Sequence, residues 1–192
     1  NTELWNGTNW TEVNNMNTAR QEMSSAGVDN TAGLIFGGDA PPKTAATEEW
    51  NGTNWTEVAD LSTARAYMNG GAGTVTAGLA FGGETATART AATEEWTGAG
   101  AAVGAWATST SINTGRDQLS GAGTYTSSLI FGGHGPGYKN ETESWNGSSW
   151  TEVNNLTTAR SQGAGFGTDN TAALFTGGST PSISINRKLE WN

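Results

Sequence analysis

Nine tryptophans fall into two interleaved series along 192 residues. The first is Trp5, Trp50, Trp96, Trp145 and Trp191, with steps of 45, 46, 49 and 46 residues. The second is Trp10, Trp55, Trp106 and Trp150. Arg20, Arg65, Arg116 and Arg160 each stand ten residues after a second-series Trp. A Gly pair then follows in every copy: Gly37 and Gly38, Gly82 and Gly83, Gly132 and Gly133, Gly177 and Gly178. Self-similarity at a period near 46 residues means an array of equivalent supersecondary units.

Residues 20–58 show what one unit contains. Met23 to Val28 is small and apolar, and Asp29-Asn30 suits a tight turn. Ala32 to Phe36 reads as a buried strand stopped by Gly37 and Gly38. After the loop DAPPKTA, Thr47 to Trp50 forms a third strand that ends in Asn51-Gly52, a strong hairpin signal. Asn54 to Val58 returns as the fourth. No helical period interrupts this order. Gly at 28 of 192 residues and abundant Thr, Asn and Ser favour strands and turns over helices. Four short antiparallel strands per unit make one blade of a β-propeller.

Arg, a small apolar strand, an apolar strand ending in Gly-Gly, a strand ending in an aromatic, a turn and then Trp: this order resembles the kelch repeat. The resemblance covers nearly the whole chain in four copies. It departs from the usual pattern in having Trp at the end of the third strand. It also has Phe36, Phe81 and Phe131 before Gly-Gly but Thr176 in the last copy. The phrases WNGTNWTEV and TARxxxxGAGT are similar to arrays in structural proteins of marine bacteriophages and in environmental bacterial proteins. The expected fold is all-β: a single domain over residues 1–192, a propeller of four four-stranded kelch-like blades. Its repeat units run over about 2–46, 47–92, 93–141 and 142–192. The first strand of each blade is expected at the axis, where small side chains permit close approach. The Trp pairs are expected between blades. The Arg series is expected to pair with Glu3, Glu48, Glu94 and Glu143, each two residues before a first-series Trp; the fifth copy has Leu189 there.

The chain begins with a third-plus-fourth strand pair, TELWNGTNWTEV, and ends with a third strand, RKLEWN. The ring is therefore expected to close by pairing of N- and C-terminal strands, which removes exposed edges. One third strand is then surplus. A rival arrangement joins two chains into an eight-bladed ring. The third copy carries nine residues between Trp96 and Trp106 where the others carry four, which lengthens one hairpin loop.

Composition limits the chemistry. Charged residues are 14%, against roughly 25% in an average chain, with 18 acidic and 9 basic residues for a net charge of −9. Such a chain repels phosphate backbones, so no nucleic-acid partner is expected. No apolar run is long enough for a helical membrane span. With no Cys, thiolate sites and Cys nucleophiles are excluded. His134 is the sole histidine, too few for a His-based metal site. Copper oxidases built on kelch-like propellers use a Cys–Tyr cross-link and two His, which this sequence cannot supply. There is no GxSxG elbow or DxDxDG loop, and most Glu sit at repeated, scaffold positions. Seven N-x-[ST] sequons follow from the Asn- and Thr-rich repeat without implying glycans.

The sequence thus predicts no enzyme, no cofactor and no metal. It predicts a non-enzymatic structural or adhesive module of a virion (capsid decoration, tail or fibre) or a cell surface, with protein partners and attachment to other chains. The alternative is a glycan-binding lectin. The predicted contact loops are Asp39 to Thr44, Glu84 to Thr90 and His134 to Lys139, which vary while the frame repeats. Asp39, Lys43, Glu84, Arg89, His134, Tyr138 and Lys139 are their candidate contact residues.

Overall fold

The computed structural model describes residues 1–98 and 104–181. Every regular element among them is a strand, and each pairing is antiparallel. An N-terminal hairpin joins β1 (Thr2–Trp5) to β2 (Trp10–Val13). Blade 1 follows as a meander of β3 (Ser24–Asp29), β4 (Ala32–Phe36), β5 (Thr47–Trp50) and β6 (Trp55–Val58). Blade 2 repeats it with β7 (Gly71–Gly73), β8 (Ala77–Phe81), β9 (Thr93–Thr97) and β10 (Ala105–Ser109). Blade 3 has β11 (Ser120–Thr124), β12 (Ser127–Phe131), β13 (Thr142–Trp145) and β14 (Trp150–Val153). The last pair is β15 (Ser161–Asp169) with β16 (Ala172–Ser179), the inner half of blade 4.

The result is a β-propeller. Strands β3, β7, β11 and β15 surround one axis, because residues of all four line successive cavities of about 320, 310 and 550 Å³. Their small residues make that approach possible. A Cβ on Gly70 would lie 2.8 Å from the Gly121 nitrogen of the next blade. The ring carries its own backbone girdle. The Tyr67 amide donates to the Glu22 carbonyl (3.0 Å), Gln118 to Tyr67 (2.7 Å) and Gln162 to Gln118 (2.9 Å). All four residues are left-handed, with φ from 52° to 60°. That conformation costs about 1–3 kcal/mol per non-glycine residue, and the inter-blade hydrogen bonds help to offset it.

Apolar cores lie between blades rather than within them. Ala26, Leu34 and Phe36 of blade 1 meet Ala80 and Trp96 of blade 2. Ala72, Leu79 and Phe81 of blade 2 meet Ile130, Trp145 and Trp150 of blade 3. Strand alternation explains this division: one face of each blade offers Leu and Phe, and the other offers the Trp pair.

Blade 4 is divided. Strand β16 pairs only with β15, and β1 only with β2, among the described residues. The C-terminal third strand around Trp191, which the expected N- to C-terminal ladder involves, lies outside the described residues. So does most of the long hairpin loop of the third copy, at 99–103.

Candidate functional site

The repeated polar side chains form the frame on which any site must sit. Arg20 Nη1 reaches Glu48 Oε1 at 2.7 Å, Arg65 Nη2 reaches Glu94 Oε1 at 2.9 Å, and Arg116 Nη1 reaches Glu143 Oε1 at 2.5 Å. All six side chains are buried. The second oxygen of each Glu accepts a backbone N–H, from Asn17 (2.7 Å), Ser62 (2.8 Å) and Asn113 (2.8 Å). Each pair thus ties the segment entering a blade to that blade's third strand. Burial pushes the Arg65 guanidinium below its ordinary value, and the Glu94 charge opposes the shift. Arg160 differs. Its Nη1 donates to the Gly177 carbonyl (3.2 Å), and its guanidinium lies 5.6 Å from the Phe175 ring centre. Glu3 is exposed and pairs with no Arg among the described residues.

The tryptophans are anchored by their indole N–H groups. Trp50, Trp96 and Trp145 donate to the Asn30, Val75 and Tyr125 carbonyls in the turn of their own blade, at 3.1, 2.8 and 2.9 Å. Trp106 and Trp150 donate backwards to Thr47 and Thr93 of the preceding blade, at 3.0 and 3.1 Å. Trp55 makes the same bond to Thr2 of the N-terminal hairpin, at 3.0 Å. The expectation of inter-blade burial does not hold for Trp5 and Trp10, which are 43% and 65% exposed. They line a cavity of about 410 Å³ between the N-terminal hairpin and blade 1, with Trp50 and Trp55.

The Gly pairs stitch blade to blade. The second glycine of each of the first three, Gly38, Gly83 and Gly133, donates to the Arg65, Arg116 and Arg160 carbonyls at 2.9 Å. Gly82 shows why no side chain is accepted there: at φ 61° its Cβ would lie 2.6 Å from the Arg116 carbonyl oxygen.

The variable loops meet on one rim, where they bridge neighbouring blades. Lys43 of blade 1 donates to Glu84 Oε1 (3.1 Å) and the Thr85 carbonyl (3.0 Å) of blade 2, and lies over the Tyr67 ring. Arg89 of blade 2 donates from Nε to Asp117 Oδ2 (3.0 Å) and from Nη2 to His134 Nδ1 (3.0 Å) of blade 3. A guanidinium only donates, so Nδ1 accepts and the neutral ring carries its proton on Nε2. Tyr138 stands edge-on to His134, with centroids 5.3 Å apart. Lys139 folds back on Glu141 at 3.1 Å. Asp39 is held by its backbone, pairing with Gln21 and Lys43.

Asp117 is the buried centre of this rim, with a side chain 3% exposed and Oδ1 lacking a hydrogen-bond partner. Burial raises its carboxyl above the ordinary value, against the lowering effect of Arg89. Sequence reasoning passes over Asp117, yet a signal exists: the residue after the repeated Arg is Gln21, Ala66, Asp117 and Ser161, charged in one copy alone. No three His, Cys, Asp or Glu side chains among the described residues are placed to hold a metal ion. The rim can instead offer cations, a carboxylate, an imidazole and an aromatic edge to a surface ligand.

No family model matches the chain, and no curated protein matches it in sequence. Among solved structures, the chain is similar to the structure of YjhT, with a TM-score of 0.74 at 14% identity. The match covers 90% of this chain and 66% of that one, so the chain spans just under two thirds of the neighbour's length. At that identity the likeness concerns the fold alone, and it is a propeller-like one.

Proposed function

We propose that this chain is a non-enzymatic binding and structural module: a kelch-like propeller that holds variable loops toward a protein partner in a phage virion or on a cell surface. The observation that carries the reading is the division of charged groups. Arg20, Arg65 and Arg116 of the repeated series are consumed in buried pairs with Glu48, Glu94 and Glu143. Those that differ between copies gather on one rim. A rigid frame presenting unlike loops is the usual arrangement of a recognition surface. The phage resemblance of the repeat phrases supports the virion setting.

Antibodies against the chain, applied to purified particles and to fractionated cells of the source, test the proposal. Label on particles or the cell envelope supports it. Label confined to the cytoplasmic fraction overturns it. The glycan-binding reading is favoured by one observation, the exposed Trp10 beside Trp5 over the 410 Å³ cavity. It predicts glycan-array binding that Trp10→Ala abolishes.

A further inference from the structure

We propose that the N-terminal hairpin of the same chain, rather than its C-terminal third strand, completes blade 4. Strand β1 lies along the edge of β16 with Trp5 opposite Ala173, Leu4 opposite Leu174, Glu3 opposite Phe175 and Thr2 opposite Thr176. The register follows from blade 1, where Gly33 pairs with Trp50, Leu34 with Glu49, Ile35 with Glu48 and Phe36 with Thr47.

Each half of blade 4 already sits on its neighbour as an intact blade would. Asn170 in the β15–β16 turn donates to the Trp145 carbonyl of blade 3 at 3.1 Å. Asn30 in the matching turn of blade 1 donates to the Trp5 carbonyl at 3.3 Å. Thr2 accepts the Trp55 indole N–H as Thr47 accepts that of Trp106. The hairpin therefore occupies the outer half of the blade preceding blade 1. Around a four-fold axis that blade is blade 4.

The groups left unmet are those this ladder satisfies. Thr142 Oγ1 is buried without a partner, whereas its equivalents Thr47 and Thr93 accept a tryptophan N–H from the following blade. The following blade's tryptophan is Trp10. Arg160 has no carboxylate partner among the described residues, whereas Arg20, Arg65 and Arg116 each pair with a buried Glu, and the carboxylate at the Glu48 position of the hairpin is Glu3. Leu174, at the position of the fully buried Leu34 and Leu79, is 63% exposed, and Phe166 beside it is 57% exposed. The axial girdle lacks one link among the described residues, Glu22 N–H to the Gln162 carbonyl.

Sequence distinguishes the two candidate strands. The hairpin reads Thr2-Glu3-Leu4-Trp5, with the threonine and glutamate of the intact blades. The C-terminal copy reads Lys188-Leu189-Glu190-Trp191 and offers Arg160 no carboxylate at that position. The chain's own hairpin also has the advantage over a second copy's, because a short tether gives it an effective concentration on the order of millimolar. With blade 4 complete, β16 has no free edge. A partner then engages the loop rim and not a strand-addition site, and Trp10 leaves solvent, which removes the main support for glycan binding.

The cysteine-free sequence makes the test clean. Leu4→Cys with Leu174→Cys places two thiols at facing positions, within the Cα separation a disulfide needs. The full chain, shown folded by circular dichroism, is oxidised at low and high concentration and run on non-reducing gels with peptide mapping. A cross-linked monomer in the same proportion at both concentrations is expected. Disulfide-linked dimers would assign the strand to a second copy, and no disulfide would leave the edge unfilled; either overturns the proposal. Glu3→Ala gives an independent reading. Its urea midpoint is expected to fall about as far as that of Glu48→Ala, and an unchanged midpoint contradicts the closure.

Discussion

Removing Glu48 should be among the most damaging single changes in this protein. Arg20 and Glu48 have side-chain exposures of 0% and 1%, so neither has water to fall back on. Glu48 accepts from Arg20 Nη1 at 2.7 Å on one oxygen and from Asn17 N and Nδ2 at 2.7 and 2.9 Å on the other. Glu48→Ala leaves a guanidinium buried without its counter-charge, at a cost of about 3–5 kcal/mol. Against a total stability of roughly 5–15 kcal/mol, that is a large share. At a urea m-value of about 1–3 kcal/mol/M, the unfolding midpoint should fall by 1 M or more. The double variant Arg20→Met with Glu48→Leu replaces both charges by apolar groups of similar size, and should lose far less than Glu48→Ala alone. Denaturation followed by tryptophan fluorescence reads both. A loss below about 1 kcal/mol for Glu48→Ala is the value of a solvent-exposed pair, and would refute a buried role for the Arg series.

Other perturbations separate the frame from the rim. Gly82→Ala should cost more than about 2 kcal/mol, because strain at φ 61° is joined by a clash with the Arg116 carbonyl; Gly7→Ala, at φ 95° with nothing within 4 Å, should cost only the backbone strain of about 1 kcal/mol. Thermal unfolding compares the two. Trp96→Ala removes a fully buried indole and its bond to Val75, with an expected loss of about 3–5 kcal/mol by chemical denaturation. Arg89→Ala should cost about 1–3 kcal/mol, because Arg89 is itself 38% exposed but its loss strands the buried Asp117 carboxylate, while weakening any partner that binds the rim. The Tyr125 hydroxyl donates to Glu95, and this bond pushes the phenol from its ordinary 10 up to about 12. The folded state therefore holds that proton more tightly than the unfolded chain. Stability relative to Tyr125→Phe should be full below pH 10 and decline between 10 and 12, as read by urea titration at each pH.

The parts of this structure most legible in sequence are those written several times. Arg65 and Glu94 lie 29 residues apart, yet the same residue types recur at Arg20 and Glu48 and at Arg116 and Glu143, so their meeting can be anticipated from spacing. The strand borders of blade 1 likewise follow from Asn51-Gly52 and Gly37-Gly38. The axial girdle is illegible for the opposite reason. Its left-handed positions hold Glu22, Tyr67, Gln118 and Gln162, four side chains with no intrinsic preference for positive φ, imposed there by hydrogen bonds between blades. Asp117 occurs once and has no repeat to announce it. The exposure of Trp5 and Trp10 depends on whether two chain ends meet, a long-range event that no local pattern encodes. At the rim, the order of unlike charges is set by which blades become neighbours; Arg89 meets His134 across 45 residues.

The central claim is that the blades bend around one axis, so that the first and last inner strands face a shared channel. Val28 of β3 and Thr168 of β15 are both exposed and both line its 550 Å³ mouth. Spin labels on Val28→Cys and Thr168→Cys, the only cysteines in the molecule, report their separation directly by electron paramagnetic resonance. The ring predicts strong dipolar broadening from labels within about 20 Å, since facing sheets lie roughly 10 Å apart. Blades stacked in a line would set these strands three spacings apart, at roughly 30 Å, and a separation of that size would contradict the account.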